Sequence, residues 1–342
     1  MSKEHLTYFK VENFKRFDSL ELTDIGQFNL VVGDNNVGKT SLLEALSVLS
    51  RRNQNNSFDS LQQNLNHVLL MRGVDVKANV DFFLKYLAKE ENKPIIFDFV
   101  IDNKRKYVTF KKLNPEQITI ERRVLPPETE SIPESQNVSI GGGLKNSTIL
   151  PLNIEPNPQL YKEYQDTIGL YRRNKHLITD NLKVIDSHIA EIEVLPILEQ
   201  SHIMIGFDNT DLYMPITGLG ESAVRIFYYL LHIIQNQSQR LMLDEIDTGI
   251  HYSRMKNFLK TIFQIADKND VQLFMTTHSL ECQEAFAEVF EAPDMVQHQS
   301  KARQFTLIEK PDGQVTAIKR DWKQLEFALE TDNETRGGKQ VW

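Results

Sequence analysis

Residues 33–40 read Gly33-Asp34-Asn35-Asn36-Val37-Gly38-Lys39-Thr40. The spacing G-x-x-x-x-G-K-[ST] constrains the chain more than any other stretch. Its glycines let successive backbone N–H groups curl around an anion, as in the loops that cradle the β-phosphate of a nucleotide. The flanks suit that geometry. Phe28 to Val32 is mostly apolar and predicts a buried strand entering the loop, while Thr40 to Leu49 predicts a helix leaving it. Such a helix points its positive N-terminal end at the phosphates. Lys39 would reach the β- and γ-phosphates, and the Thr40 hydroxyl would ligate Mg²⁺, with Asp34, Asn35, Asn36, Val37 and Ser41 completing the cradle.

A loop of this kind needs a second carboxylate for the metal and a group that activates water. Leu241-Met242-Leu243-Asp244-Glu245 provides both, because an apolar strand ends there in two acids. Adjacent strand residues point in different directions, so Asp244 can face the metal while Glu245 faces the γ-phosphate as general base. An apolar run ending in Asp-Glu commonly means only that a strand reaches solvent, and its meaning here comes from the loop. Leu273-Phe274-Met275-Thr276-Thr277-His278-Ser279 is a further apolar strand, ending in a histidine that could hydrogen-bond the γ-phosphate. Gly218-Leu219-Gly220-Glu221-Ser222-Ala223-Val224-Arg225 opens another helix. Its small residues suit an anion-binding end by the same dipole logic, or simply a good cap with Glu221 in the first turn.

The rest of the chain divides around these motifs. Residues 5–12 and 17–24 predict two strands joined by Asn13-Phe14-Lys15-Arg16. Phe58 to Met71 has helical spacing, and Lys93–Ile101, Tyr107–Leu113 and Ile118–Leu125 predict a meander of β-branched and aromatic strands. Pro126 to Pro158 is rich in proline and glycine and predicts a loop. From Tyr161 through Tyr164, Ile168, Tyr171, Ile178, Leu182, Ile185 and Ile189 to Ile192 a three-four spacing predicts one long helix, a helical hairpin with a basic tip, or an amphipathic helix on the domain. Beyond Pro196, strands are expected near 202–207, 212–216, 240–244 and 271–276, helices near 221–235, 251–267 and 279–290, and a last strand pair at 302–308 and 315–319. The expected organisation is an N-terminal part (1–50), an insertion (51–195) and a C-terminal part (196–342). The sheet is thus split along the sequence.

Bulk properties narrow the partners. No apolar run approaches the roughly 20 residues of a membrane-spanning helix, and no signal-peptide core opens the chain, so a cytoplasmic protein without membrane contact is expected. The lone Cys282 excludes an internal disulfide and a cysteine-based zinc site. A net charge of −8 argues against attraction of nucleic acid by the whole surface. Local clusters at Lys104-Arg105-Lys106, Lys111-Lys112, Arg122-Arg123 and Arg172-Arg173 could still track phosphates if the fold assembled them. A GTPase switch fits poorly, since the nearest guanine-reading match, Asn174-Lys175-His176-Leu177, ends in leucine instead of an acid.

Together these motifs resemble an ABC-type ATPase of the SMC/RecF/OLD class, an α/β head with a split sheet carrying an inserted strand meander and a helical arm. Gly33–Thr40 corresponds to its Walker A, Leu241–Glu245 to its Walker B, and Thr248-Gly249-Ile250-His251 to its D-loop. Thr277-His278-Ser279 corresponds to its switch histidine, and Leu219-Gly220-Glu221-Ser222 to its signature, with Ser222 where a second glycine is usual. Phe9 to Phe17, including Lys15 and Arg16, resembles the segment that contacts adenine, and Phe327 to Gly337 resembles the class's C-terminal tail. The resemblance covers about residues 5–50 and 185–336 and leaves Gln54, Gln62 and Gln63 competing for the Q-loop position. It implies ATP and Mg²⁺ as ligands, and head-to-tail dimerisation with Gly220 and Ser222 of one copy meeting the nucleotide of the other. No TOPRIM nuclease domain is expected after His278, so it further implies a separately encoded effector such as a TOPRIM-like nuclease, in an anti-phage defence role. The alternative is a RecF-like repair ATPase that binds duplex DNA.

Overall fold

The computed structural model describes residues 5–49, 85–114, 117–125, 134–139, 149–150, 172–183, 185–197, 200–235 and 240–331, with residues 61, 64, 65, 68, 164 and 335. Its centre is a sheet of order β15-β14-β3-β13-β12-β8. The strands β3 (Phe28–Gly33), β8 (Ile149–Leu150), β12 (Arg240–Leu243), β13 (Gln272–Thr276) and β14 (Ala302–Glu309) run parallel, and β15 (Val315–Asp321) closes one edge antiparallel. Parallel strands are covered on both faces, which explains the apolar runs Leu30–Val32, Leu241–Leu243 and Leu273–Met275. The pleat sends alternate side chains to two different cores. Phe28, Leu30 and Val32 of β3, with Leu241, Leu243, Leu273 and Met275, pack in a core with the helices α3 (Glu221–Gln235), α4 (Tyr252–Lys268) and α5 (Leu280–Glu291). Val31, Met242, Phe274, Phe305 and Leu307 pack in the other, beneath α1 (Lys39–Val48) and the second sheet.

That second sheet is antiparallel, of order β2-β1-β4-β5-β6-β7, built from β1 (Leu6–Phe14), β2 (Phe17–Thr23), β4 (Ile95–Ile101), β5 (Lys104–Asn114), β6 (Gln117–Leu125) and β7 (Glu134–Ser139). The meander is inserted in sequence but continues the N-terminal hairpin in space, since β4 pairs directly with β1 (Phe9↔Phe99, Val11↔Phe97). The hairpin turn is tighter than the sequence suggests: Phe14 pairs with Phe17, and Asn13 and Lys15 take left-handed φ of 56° and 52°. A helix α6 (Trp322–Glu330) opens on a capping box between Asp321 and Gln324.

The described residues of 172–192 do not form one long helix. Helix α2 (Arg172–Leu182) ends where Asp186 forms a turn, its side chain accepting from His188 N at 2.9 Å. Residues Ile189–Ile197 are then strand β9, paired with β10 (Gln200–Phe207), which pairs with β11 (Thr210–Pro215). Ile178, Leu182, Ile189 and Ile192 share the α3 core, so α2 lies on the domain as an amphipathic helix. The β-branched residues suit a strand, and the turn at Asp186 with the pairing to β10 decides for it, a choice that three-four spacing alone cannot make. Gln54, Gln62 and Gln63, and most of Pro126–Pro158, lie outside the described residues.

Candidate nucleotide site

Strands β3, β12, β13 and β14 all end on one edge of the central sheet, so their C-terminal residues converge. The loop of residues 33–38 leaves β3 there and needs its glycines. Gly33 has φ of 153° and Gly38 of 113°, and a Cβ on Gly38 would stand 2.8 Å from the Phe17 ring. A Cβ on Gly33 would stand 2.8 Å from both Leu307 O and Val37 Cγ1. Gly38 is also the N-cap of α1, with no side-chain cap bond. The first N–H groups of α1 are therefore left for an anion. Asp34, Asn35 and Asn36 are exposed at the loop's rim, Val37 is buried beneath it, and Thr40 and Ser41 are half-buried.

Lys39 is 6% exposed and donates to Gly33 O (2.8 Å), Asp34 O (2.9 Å) and His278 Nδ1 (3.3 Å). The ammonium's three protons are thus engaged, and the ring proton of His278 belongs on Nε2. Burial pushes the Lys39 ammonium down to about 8, against the pull of Asp244, Asp34 and Glu245. Thr40 Oγ1 donates to Asp244 Oδ2 at 2.8 Å. These are hard oxygen donors of the kind Mg²⁺ takes, so the pair fits the ion.

Walker B is not a simple pleat. Strand β12 stops at Leu243, and the two acids diverge because Glu245 adopts φ of 47°. The anchor for that turn is Thr276, to which the strand motif around it assigns no role. Its hydroxyl donates to Asp244 Oδ1 at 2.5 Å and accepts from Glu245 N at 2.8 Å. Thr248 Oγ1 donates to Glu245 Oε2 at 3.4 Å. His278 is exposed just ahead of α5, whose N-cap Ser279 accepts from Cys282 N.

Lys15 and Arg16, expected near adenine, point to different partners. Arg16 reaches the loop, donating to Asn36 O, and is held by Glu309 Oε2 at 2.7 Å. Lys15 instead pairs with the buried Glu44 on α1 at 2.5 Å, with its ammonium 4.9 Å from the centre of the Tyr86 ring. Gly220 and Ser222 lie at the start of α3, where Ser222 Oγ donates to Gly249 O of the D-loop. Gly220 has φ of 89° with open space beside it. The segment expected to be the signature thus touches, within one chain, the segment expected to be the D-loop.

A family model described as "AAA domain, putative AbiEii toxin, Type IV TA system" matches residues 28–281, well over half the chain. The chain belongs to this AAA family. It is also similar to an ATP/GTP phosphatase of Helicobacter pylori, 22% identical over 335 residues, covering 85% of this chain and 90% of that protein. A DNA replication and repair protein RecF of Saccharophagus degradans is 48% identical over 46 residues, 14% of this chain and 12% of that protein. Among solved structures, an Smc head bound to the C-terminal winged-helix domain of ScpA matches with a TM-score of 0.52 at 10% identity, over 95% of this chain and 99% of that one. An Smc head with an extended coiled coil, bound to the C-terminal domain of ScpA derived from Pyrococcus furiosus, matches with a TM-score of 0.50 at 10% identity, over 96% and 99%. The chain is therefore an AAA-family ATPase whose fold is that of SMC heads. Among its described residues, no helix is long and apolar enough to cross a membrane.

Proposed function

We propose that this ATPase binds ATP with Mg²⁺ at residues 33–41 and Asp244, hydrolyses it with Glu245 as general base, and uses the cycle to control a protein partner. The observation that carries the reading is the cluster in which Lys39, Thr40, Asp244 and His278 meet by hydrogen bonds on the strand-end edge. Lys39 exchanges its two carbonyl partners for phosphate oxygens, and the first turn of α1 adds N–H donors. Asp244 and Thr40 would hold Mg²⁺, whose charge offsets that developing on the phosphate oxygens in the transition state. Glu245 accepts a proton from the attacking water, and His278 donates from Nε2 toward the γ-phosphate once Nδ1 is held. Arg16 borders the nucleotide beside Asn36, and Lys15 braces α1 through Glu44.

Two copies would close head to tail, with Gly220 and Ser222 of each completing the other's nucleotide site and hydrolysis releasing the pair. Contacts that the γ-phosphate makes only in the closed state shift that equilibrium. The partner in this reading is a separately encoded effector, a nuclease or toxin in anti-phage defence; the family's toxin–antitoxin description and the ScpA-bound heads support a partnered ATPase. The division into 1–50, 51–195 and 196–342 is kept as a functional partition, and cytoplasmic residence goes with the role. A RecF-like role on duplex DNA is less favoured, because several of the basic residues are already compensated. Arg105 pairs with Asp98, Lys111 with Glu121 and Arg122 with Glu134. The test is the native mass of tagged protein isolated from its host, with and without ATP. A large complex holding a nuclease-like second polypeptide supports the reading. A lone chain that pairs with ATP and then binds duplex DNA, ever more weakly as salt rises, would replace it with the repair reading.

A further inference from the structure

We infer that Thr276 is the positioning residue that sets both Walker B carboxylates, so that metal geometry and the aim of the general base depend on one hydroxyl. The inference rests on the assignment of Asp244 to the metal and Glu245 to water. Thr276 is the last residue of β13, lying between β12 and β3, with 0% exposure. Its single hydroxyl proton goes to Asp244 Oδ1, while Thr40 donates to the other oxygen, Oδ2. The carboxylate is thus held from both sides, and Oδ2 is the oxygen turned toward Thr40. A lone pair of the same hydroxyl accepts from Glu245 N, and the Thr276 carbonyl accepts from Ile246 N at 3.0 Å. These two bonds fix the turn that places Glu245 at φ of 47°, a conformation a non-glycine residue keeps only when its surroundings impose it. Without the hydroxyl, Asp244 can rotate and Glu245 N loses its acceptor, so both groups lose their aim although neither is altered. Partners that orient a metal ligand typically matter by 10–100-fold.

The experiment compares Thr276→Val, which keeps shape and β-branching, with Thr276→Ser, which restores the hydroxyl. Steady-state ATP hydrolysis is measured across a Mg²⁺ titration, ATP binding is measured separately, and Glu245→Gln is run alongside. We expect Thr276→Val to lower kcat about 10–100-fold and to raise the Mg²⁺ concentration for half-maximal rate, with ATP affinity within about threefold. Thr276→Ser should return both to within about threefold of the parent. Should the valine variant fail to fold, Thr276→Ala and Thr276→Ser carry the same comparison. A purely packing role would lower thermal stability while leaving the Mg²⁺ requirement unchanged in the folded protein. If Glu245→Gln is inactive and Thr276→Val matches the parent in kcat and Mg²⁺ dependence, the positioning role is wrong and the site assignment stands. If Glu245→Gln hydrolyses normally, the assignment of the base fails and this inference fails with it.

Discussion

Lys39 couples the site to pH. Because burial depresses its ammonium to about 8 from the ordinary 10.5, the folded chain without nucleotide binds fewer protons than the unfolded chain across that window. Stability contributed through this residue therefore rises with pH between those values. A bound triphosphate favours the ammonium and reverses the demand, so binding takes up a proton. ATP affinity should fall as pH climbs above 8, by up to about tenfold per unit, with roughly half a proton taken up at pH 8. Calorimetry in two buffers of different ionisation enthalpy reads this directly, and zero uptake at pH 8 would refute the depressed lysine. The neighbouring groups divide binding from turnover. Glu245→Gln should cut kcat on the order of 10²–10⁴-fold yet retain ATP, as expected for a lost general base. His278→Ala should slow turnover with little loss of binding, and unchanged turnover would return it to an ordinary surface histidine. Lys39, Thr40 and Asp244 were legible because each sits in a contiguous motif. Thr276 was not, since its role arises only when β13 is laid beside β12.

At the scale of elements, the loop depends on the hairpin beneath it. The Phe17 ring from β2 fills the space where a Gly38 side chain would stand, and Arg16 in the turn ties Asn36 to Glu309 at the end of β14. Gly38→Ala therefore meets both a ring at 2.8 Å and an unfavourable φ of 113°. The expected result is a destabilisation of about 1–3 kcal/mol, with ATP affinity reduced more than tenfold because the cradle must shift. Thermal melting and nucleotide titration together check it, and an alanine variant that binds like the parent would show that the loop tolerates the shift. The split sheet was legible because parallel, doubly covered strands leave unbroken apolar runs such as Leu241–Leu243. The stretch from Ile185 to Ile192 was not, because its isoleucines satisfy helical spacing and strand preference at once. What decides between them is the turn at Asp186 and pairing with β10, both products of tertiary structure.

At the scale of the whole molecule, the proposed head-to-tail pair draws each site from two chains. Ser222 contacts Gly249, while Lys39 and Asp244 take their partners from β3, α1, β13 and the residues beside them. In the proposed pair the start of α3, with Gly220 in open space, faces the nucleotide of a second copy. Glu245→Gln should therefore accumulate as a dimer with ATP and Mg²⁺ and remain a single chain with ADP, since only the γ-phosphate favours closure. Ser222→Arg in that background removes the bond to Gly249 and adds bulk to the facing surface without touching residues 33–41. It should stay a single chain with ATP while binding nucleotide within about threefold of its parent, a population shift of the size expected when one state loses its contacts. Light scattering gives the mass, and a nucleotide titration on the same sample gives the affinity. If the double variant dimerises as readily as Glu245→Gln alone, the start of α3 does not lie in the interface. If it loses nucleotide as well, the signature segment supports the site of its own chain, and the head-to-tail arrangement is wrong.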